Sequence, residues 1–105
     1  MKRTKQRRLE RAGWTVGSAA EFLKLSVVEQ AFLDLKVALA EGLRKRRQRR
    51  RLTQDGLARL LRSSQSRVAK MEASDGSVSL DLLVRSLLVL GVSPEELARI
   101  IRRAA

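Results

Sequence analysis

Gln65, Ser66, Arg67 and Lys70 fall within six consecutive positions of this chain. Arginine and lysine only donate hydrogen bonds, glutamine both donates and accepts, and a serine hydroxyl adapts to either role. Such a set matches the edges of nucleic-acid bases: Arg and Lys for guanine, Gln for adenine, Ser for either. Val68 and Met71 are interleaved with them at helical spacing. If those two face a core, the polar four face outward.

Two short elements must hold that surface. Thr53 is a helix cap, followed by Leu57, Ala58, Leu60 and Leu61 as an inward face. Arg62 to Ser64 read as a tight turn, and Gln65 to Glu72 as a second short helix. Ala58 is small enough for one helix to cross the other closely. Spacing alone fits a plain helical hairpin with a solvated outer face equally well. The polar face carries no acidic residue before Glu72, and the chain has a net charge of +12. Both facts weigh towards a nucleic acid.

The remaining sequence is helical in pattern. Residues 1 to 13 form a basic arm, with Lys2, Arg3, Lys5, Arg7, Arg8 and Arg11. Gly13 and Gly17 bracket a turn around Trp14. Ser18 with Glu21 and Ser26 with Glu29 are two capping boxes, predicting two successive helices. Val28, Phe32, Leu35, Leu39 and Leu43 form one apolar stripe running towards Arg50, interrupted by Gly42, where a bend is expected. After a loop from Ala73, Ser79 caps a helix with a Leu80, Leu83, Val84, Leu87 and Leu88 stripe, closed by Gly91. Ser93, Pro94 and Glu96 open a last helix that buries Leu97, Ile100 and Ile101. No segment alternates with the period of a strand.

The totals exclude several functions. One domain fits 105 residues, and 44% hydrophobic content supports a core. With no cysteine and no histidine, disulfides, the commonest zinc ligands and the usual general base are gone. Acidic residues are few and scattered, without metal-ligand spacing, and no glycine-rich phosphate loop is present. Neither catalysis nor a cofactor is expected. No apolar run reaches membrane-span length, and no signal peptide follows the basic arm. A cytoplasmic location is expected, without a membrane partner. The run Arg44 to Arg51 holds seven basic residues in eight. It suits a phosphate backbone through Arg49, Arg50 and Arg51, although a solvated helix end with cations at its C-terminal dipole reads the same way. Its charge density also keeps RNA open.

Leu52-Thr53-Gln54, Leu57-Ala58, Ser64-Gln65-Ser66, Val68 and Glu72 resemble the Xre-type helix-turn-helix of phage repressors and bacterial regulators. Phe22-Leu23, Leu25, Glu29, Lys36 and Leu39, with Ser79 to Leu83 and Leu90-Gly91-Val92, resemble its HigA-like antitoxin branch. The resemblance covers roughly residues 14 to 92. It implies an all-α bundle of five to six helices with a lambda-repressor-like helix-turn-helix over about residues 39–92, within a domain of residues 14–105. It implies a homodimer on a palindromic operator in double-stranded DNA, often with autorepression beside a RelE-type toxin. Gln65, Ser66, Arg67 and Lys70 match its base-reading positions. Gln54 and Ser64 match phosphate contacts at helix starts. Arg47 matches a buried arginine paired with Glu72. The chain departs from the family where Arg62 and Arg51 replace common glycines and Arg46 replaces a common apolar residue. Other readings are a phage or plasmid repressor without a toxin, and a protein that chiefly neutralises a toxin. In the latter, the arm, the Trp14 segment and the last helix form the binding surface.

Overall fold

The computed structural model describes residues 19–104. Among them are five helices and no strand: α1 Ala19–Arg49, α2 Gln54–Leu61, α3 Gln65–Glu72, α4 Leu80–Val89 and α5 Pro94–Arg102. The basic arm, the Trp14 turn and the Ser18 cap lie outside the described residues. The chain divides into two units, one ending at Phe32 and the other beginning at Leu33.

In the first unit the expected break at Ser26 is absent, because Ser26 lies inside α1. A capping box starts a helix only where the residue at the cap is non-helical. Lys24 and Leu25 are good helix formers, and no glycine or proline intervenes, so the helix runs through. Phe22 is buried, whereas Leu23, Val27, Val28 and Phe32 are exposed. Val28 and Phe32 therefore do not extend the core stripe. Helical spacing puts residues on one face but does not say whether anything covers it.

The second unit is built around Leu39, Ala40 and Leu43 of α1, Leu57 and Ala58 of α2, Val68 and Met71 of α3, and Leu83, Leu87 and Leu90 around α4. Val78 and Val92, in the connections before α4 and α5, complete it. Each fully buried Leu stabilises the fold by about 1.5–3 kcal/mol. Three expected core residues are instead exposed: Leu60 at 53%, Leu88 at 48% and Ile101 at 40%. On α4 the buried line runs Leu83, Ser86, Leu87, Leu90. Leu88 is turned about 100° from Leu87 and misses it. Ser86 is tolerated inside because its hydroxyl donates to Leu82 O at 2.7 Å.

The short helices have well-defined ends. Thr53, Ser64, Ser79 and Ser93 each accept, through the side-chain oxygen, the N–H three residues on: Gly56, Arg67, Leu82 and Glu96 respectively. Such caps are worth about 1 kcal/mol each. After α4, Gly91 takes φ 81°, and Val92 N–H returns to Leu87 O at 3.1 Å. Gly42 has a packing reason. A Cβ there would stand 3.0 Å from Cδ1 and 3.2 Å from Cγ2 of Ile100, so its absence lets α5 close on α1.

Candidate nucleic-acid interface

α2 packs against α3. Ala58, 2% exposed, is the small residue at the α2 core face. The turn between the helices is made by Arg62, which adopts φ 53° and ψ 46°, the left-handed region. Ser63 N–H then returns to Ala58 O at 2.8 Å. A Cβ in that region is strained by roughly 1–2 kcal/mol, which is why glycine is common there. Arg51 (φ 55°) and Ser74 (φ 54°) share the conformation. Ser74 had no sequence signal comparable to the replaced glycines.

Val68 and Met71 are both 0% exposed, and this anchors the phase of α3. Gln65, Ser66, Arg67 and Lys70 are exposed on its other side. Ser64, also exposed, is the N-cap, and its Oγ accepts Arg67 N–H at 3.1 Å. Ser64, Ser66, Arg67 and Lys70 line a polar concavity of about 300 Å³, together with Ser77 and Val78 from the loop after α3. Ser77 stands beside the α3 row although spacing along the chain does not group it with those residues. Its sequence signal is Asp75-Gly76-Ser77, an Asx-type turn. Ser77 donates to Asp75 Oδ1 from both its N–H (2.9 Å) and its hydroxyl (2.6 Å). These bonds, helped by the charges of Lys70 and Lys36, hold the Asp75 carboxyl below its ordinary pKa.

Behind α3 runs a hydrogen-bonded relay. Arg47 Nε donates to Glu72 Oε2 at 2.5 Å, and Arg47 Nη2 to Glu72 Oε1 at 3.0 Å. Arg47 Nη1 donates to Leu52 O at 2.8 Å. The two side chains are 13% and 4% exposed. Gln54 Nε2 donates to Glu72 Oε1 at 3.2 Å, and Gln65 Nε2 donates to Gln54 Oε1 at 2.7 Å. An amide NH2 has two hydrogens, so Gln65 keeps one donor and its own oxygen for another partner. Gln54, half-buried at the start of α2, is thus held by two side chains.

The basic run does not form one surface. Residues three and four apart share a helix face. Arg46 and Arg50 turn to the end of α4: Arg46 Nε and Arg50 Nη1 donate to Leu90 O at 3.2 and 2.8 Å, and Arg46 Nη2 to Gly91 O at 3.1 Å. Arg46 Nη1 also meets Glu96 Oε2 at 3.1 Å. This accounts for an arginine at a site where an apolar residue is common: it neutralises a helix C-terminus and a carboxylate together. Arg49 lines a groove with Arg46, Arg99 and Arg103. Arg51, exposed, ends the run just before α2.

Two packed helices, a three-residue turn, an inward Val68 and Met71 and an outward polar row are the geometry of a known domain. The family model described as a helix-turn-helix domain matches residues 38–100. This chain belongs to the helix-turn-helix domain family. The domain is of the Xre-like class, that of DNA-binding regulators. No match was found among curated proteins or solved structures. The two short helices joined by the three-residue turn, α2 and α3, both lie within the matched residues. Among the described residues there is no group of His, Cys, Asp or Glu able to hold a metal ion, and no helix long and apolar enough to cross a membrane.

Proposed function

We propose that this protein is a sequence-specific transcriptional regulator that binds double-stranded DNA as a homodimer, acting as an antitoxin that represses its own toxin–antitoxin operon. The observation that carries the DNA-reading part is the outward row on α3, with Gln65 braced through Gln54 onto the buried Glu72. A base-reading glutamine held in one orientation loses less freedom on binding. Gln65, Ser66, Arg67 and Lys70 read base edges in the major groove. Ser64, Gln54 and Arg51, near the helix starts, meet phosphates, where free N–H groups favour anions. Arg49 and Arg50 add charge from the side of α1 that faces α4 and α5. The basic arm of residues 1 to 13 adds further phosphate contacts next to the domain of residues 14–105. The antitoxin role rests on the resemblance to the HigA-like branch, with a RelE-type toxin as partner, and places the protein in the cytoplasm with DNA.

The test is titration of wild type and two variants against the protein's own protected upstream DNA and a scrambled duplex. Arg67→Ala is expected to weaken specific binding by about 1–3 kcal/mol per half-site, or about 2–6 kcal/mol for a dimer, leaving the scrambled duplex much less affected. Arg51→Ala is expected to weaken both duplexes alike and to lower the salt dependence by about one ion per half-site, or about two for the dimer. Equal weakening of both duplexes by Arg67→Ala removes α3 as the reading element. Sedimentation giving only monomer, free and on DNA, removes the homodimer.

A further inference from the structure

A second concavity, of about 470 Å³, opens beside α3 between α2 and α4. Its walls include Leu61, Leu82 and the buried Met71. Leu60 of α2 and Val89 of α4 also line it and are exposed at 53% and 55%. Exposed aliphatic side chains flanking a groove mark an interaction surface more often than scattered single ones do. The charged residues lining it are Arg62, Arg67 and Arg85, with no Asp or Glu among them. Arg85 shares an exposed pair with Asp81 at 3.0 Å, a contact that yields easily to a competing carboxylate.

We propose that this groove binds an acidic, amphipathic helical segment of a partner protein, and that this segment and DNA exclude one another through Arg67. Charge and polarity choose the occupant. An apolar floor takes aliphatic or aromatic anchors spaced three and four apart on a helix, and an arginine rim takes carboxylates flanking them. A second copy of this chain is disfavoured. A two-fold contact here would bring the rim arginines against one another. Exclusion follows from one residue: Arg67 lines both this groove and the polar concavity of Ser64, Ser66 and Lys70. Its guanidinium cannot meet a carboxylate in one and a base in the other. The exclusion half rests on the reading of Arg67 given under the proposed function; the groove itself does not.

The experiment pans a phage-displayed random peptide library on the full chain. Enriched peptides are expected to carry Leu, Ile or Phe at helical spacing with Asp or Glu beside them. Anisotropy titration of one labelled enriched peptide is expected to weaken about tenfold or more with Leu60→Asp or Val89→Asp. Both substitutions sit on exposed side chains, and unchanged melting confirms an intact fold. No enrichment, equal binding of a scrambled peptide of the same composition, or full affinity in both variants overturns the groove. Saturating peptide is expected to release the protected upstream duplex; a ternary complex overturns the exclusion. If Arg67→Ala leaves DNA binding intact while peptide binding follows Leu60 and Val89, the base-reading assignment fails and the groove stands.

Discussion

Arg47 and Glu72 form a two-point ion pair, both carboxylate oxygens being engaged, with the glutamate side chain only 4% exposed. The pair joins the last turn of α1 to the last residue of α3. Removing one member of a buried pair leaves the other desolvated and uncompensated. Glu72→Ala is therefore expected to cost about 3–5 kcal/mol in urea unfolding. A loss under about 1 kcal/mol, the range of exposed pairs, would show that Arg47 finds water or another acceptor.

The left-handed Arg62 gives a stabilising prediction. Glycine there relieves about 1–2 kcal/mol of steric strain and returns about 0.4–1 kcal/mol in unfolded-state entropy. Arg62→Gly is expected to raise stability by about 0.5–1 kcal/mol. Ser74→Gly is expected to move the same way, since its φ is nearly identical. Lower melting temperatures for both would place the turn's stability in side-chain contacts instead.

Gly42 and Ile100 should be coupled. Alanine in a helix interior gains about 1 kcal/mol over glycine. With Ile100 present the new Cβ stands 3.0 Å from its Cδ1, so part of that gain goes into displacing α5. A double-mutant cycle should show Gly42→Ala more favourable in an Ile100→Ala background than in wild type. Strict additivity would mean that Ile100 moves aside freely.

Asp75 supplies a pH-dependent prediction. Its pKa is lowered in the fold, chiefly by the Ser77 hydroxyl and then by Ser77 N–H. A depressed carboxylate contributes stability that is present above its unfolded pKa and is lost as pH falls through the folded one. Ser77→Ala should therefore destabilise the protein at neutral pH. The gap from wild type should shrink as the medium is acidified below the carboxylate range. Thermal melts at several pH values test this, and a constant gap would mean that Ser77 acts without regard to the charge on Asp75.

Local chemistry was enough to read the ends of the short helices. A serine or threonine cap bonds an N–H three residues away, so Thr53, Ser64, Ser79 and Ser93 carry their own instructions. The outward row of α3 was legible for a similar reason, because Val68 and Met71 set the phase of one short helix. The left-handed turn at Arg62 was readable only through the resemblance, since arginine itself does not favour that conformation. Burial was a different matter. Leu60, Leu88, Ile101, Val28 and Phe32 are apolar and correctly spaced, yet exposed. Whether a face is covered depends on elements distant in sequence. The same holds for Arg46 and Arg50, which the sequence shows only as members of a basic run. Their places on Leu90, Gly91 and Glu96, 40 to 50 residues away, exist once α1 lies across the end of α4. The Gln65–Gln54–Glu72 relay belongs there too: three helix positions meet only after the turn at Arg62 brings α3 against α2, because hydrogen bonds of about 3 Å require a geometry that spacing along a chain does not specify.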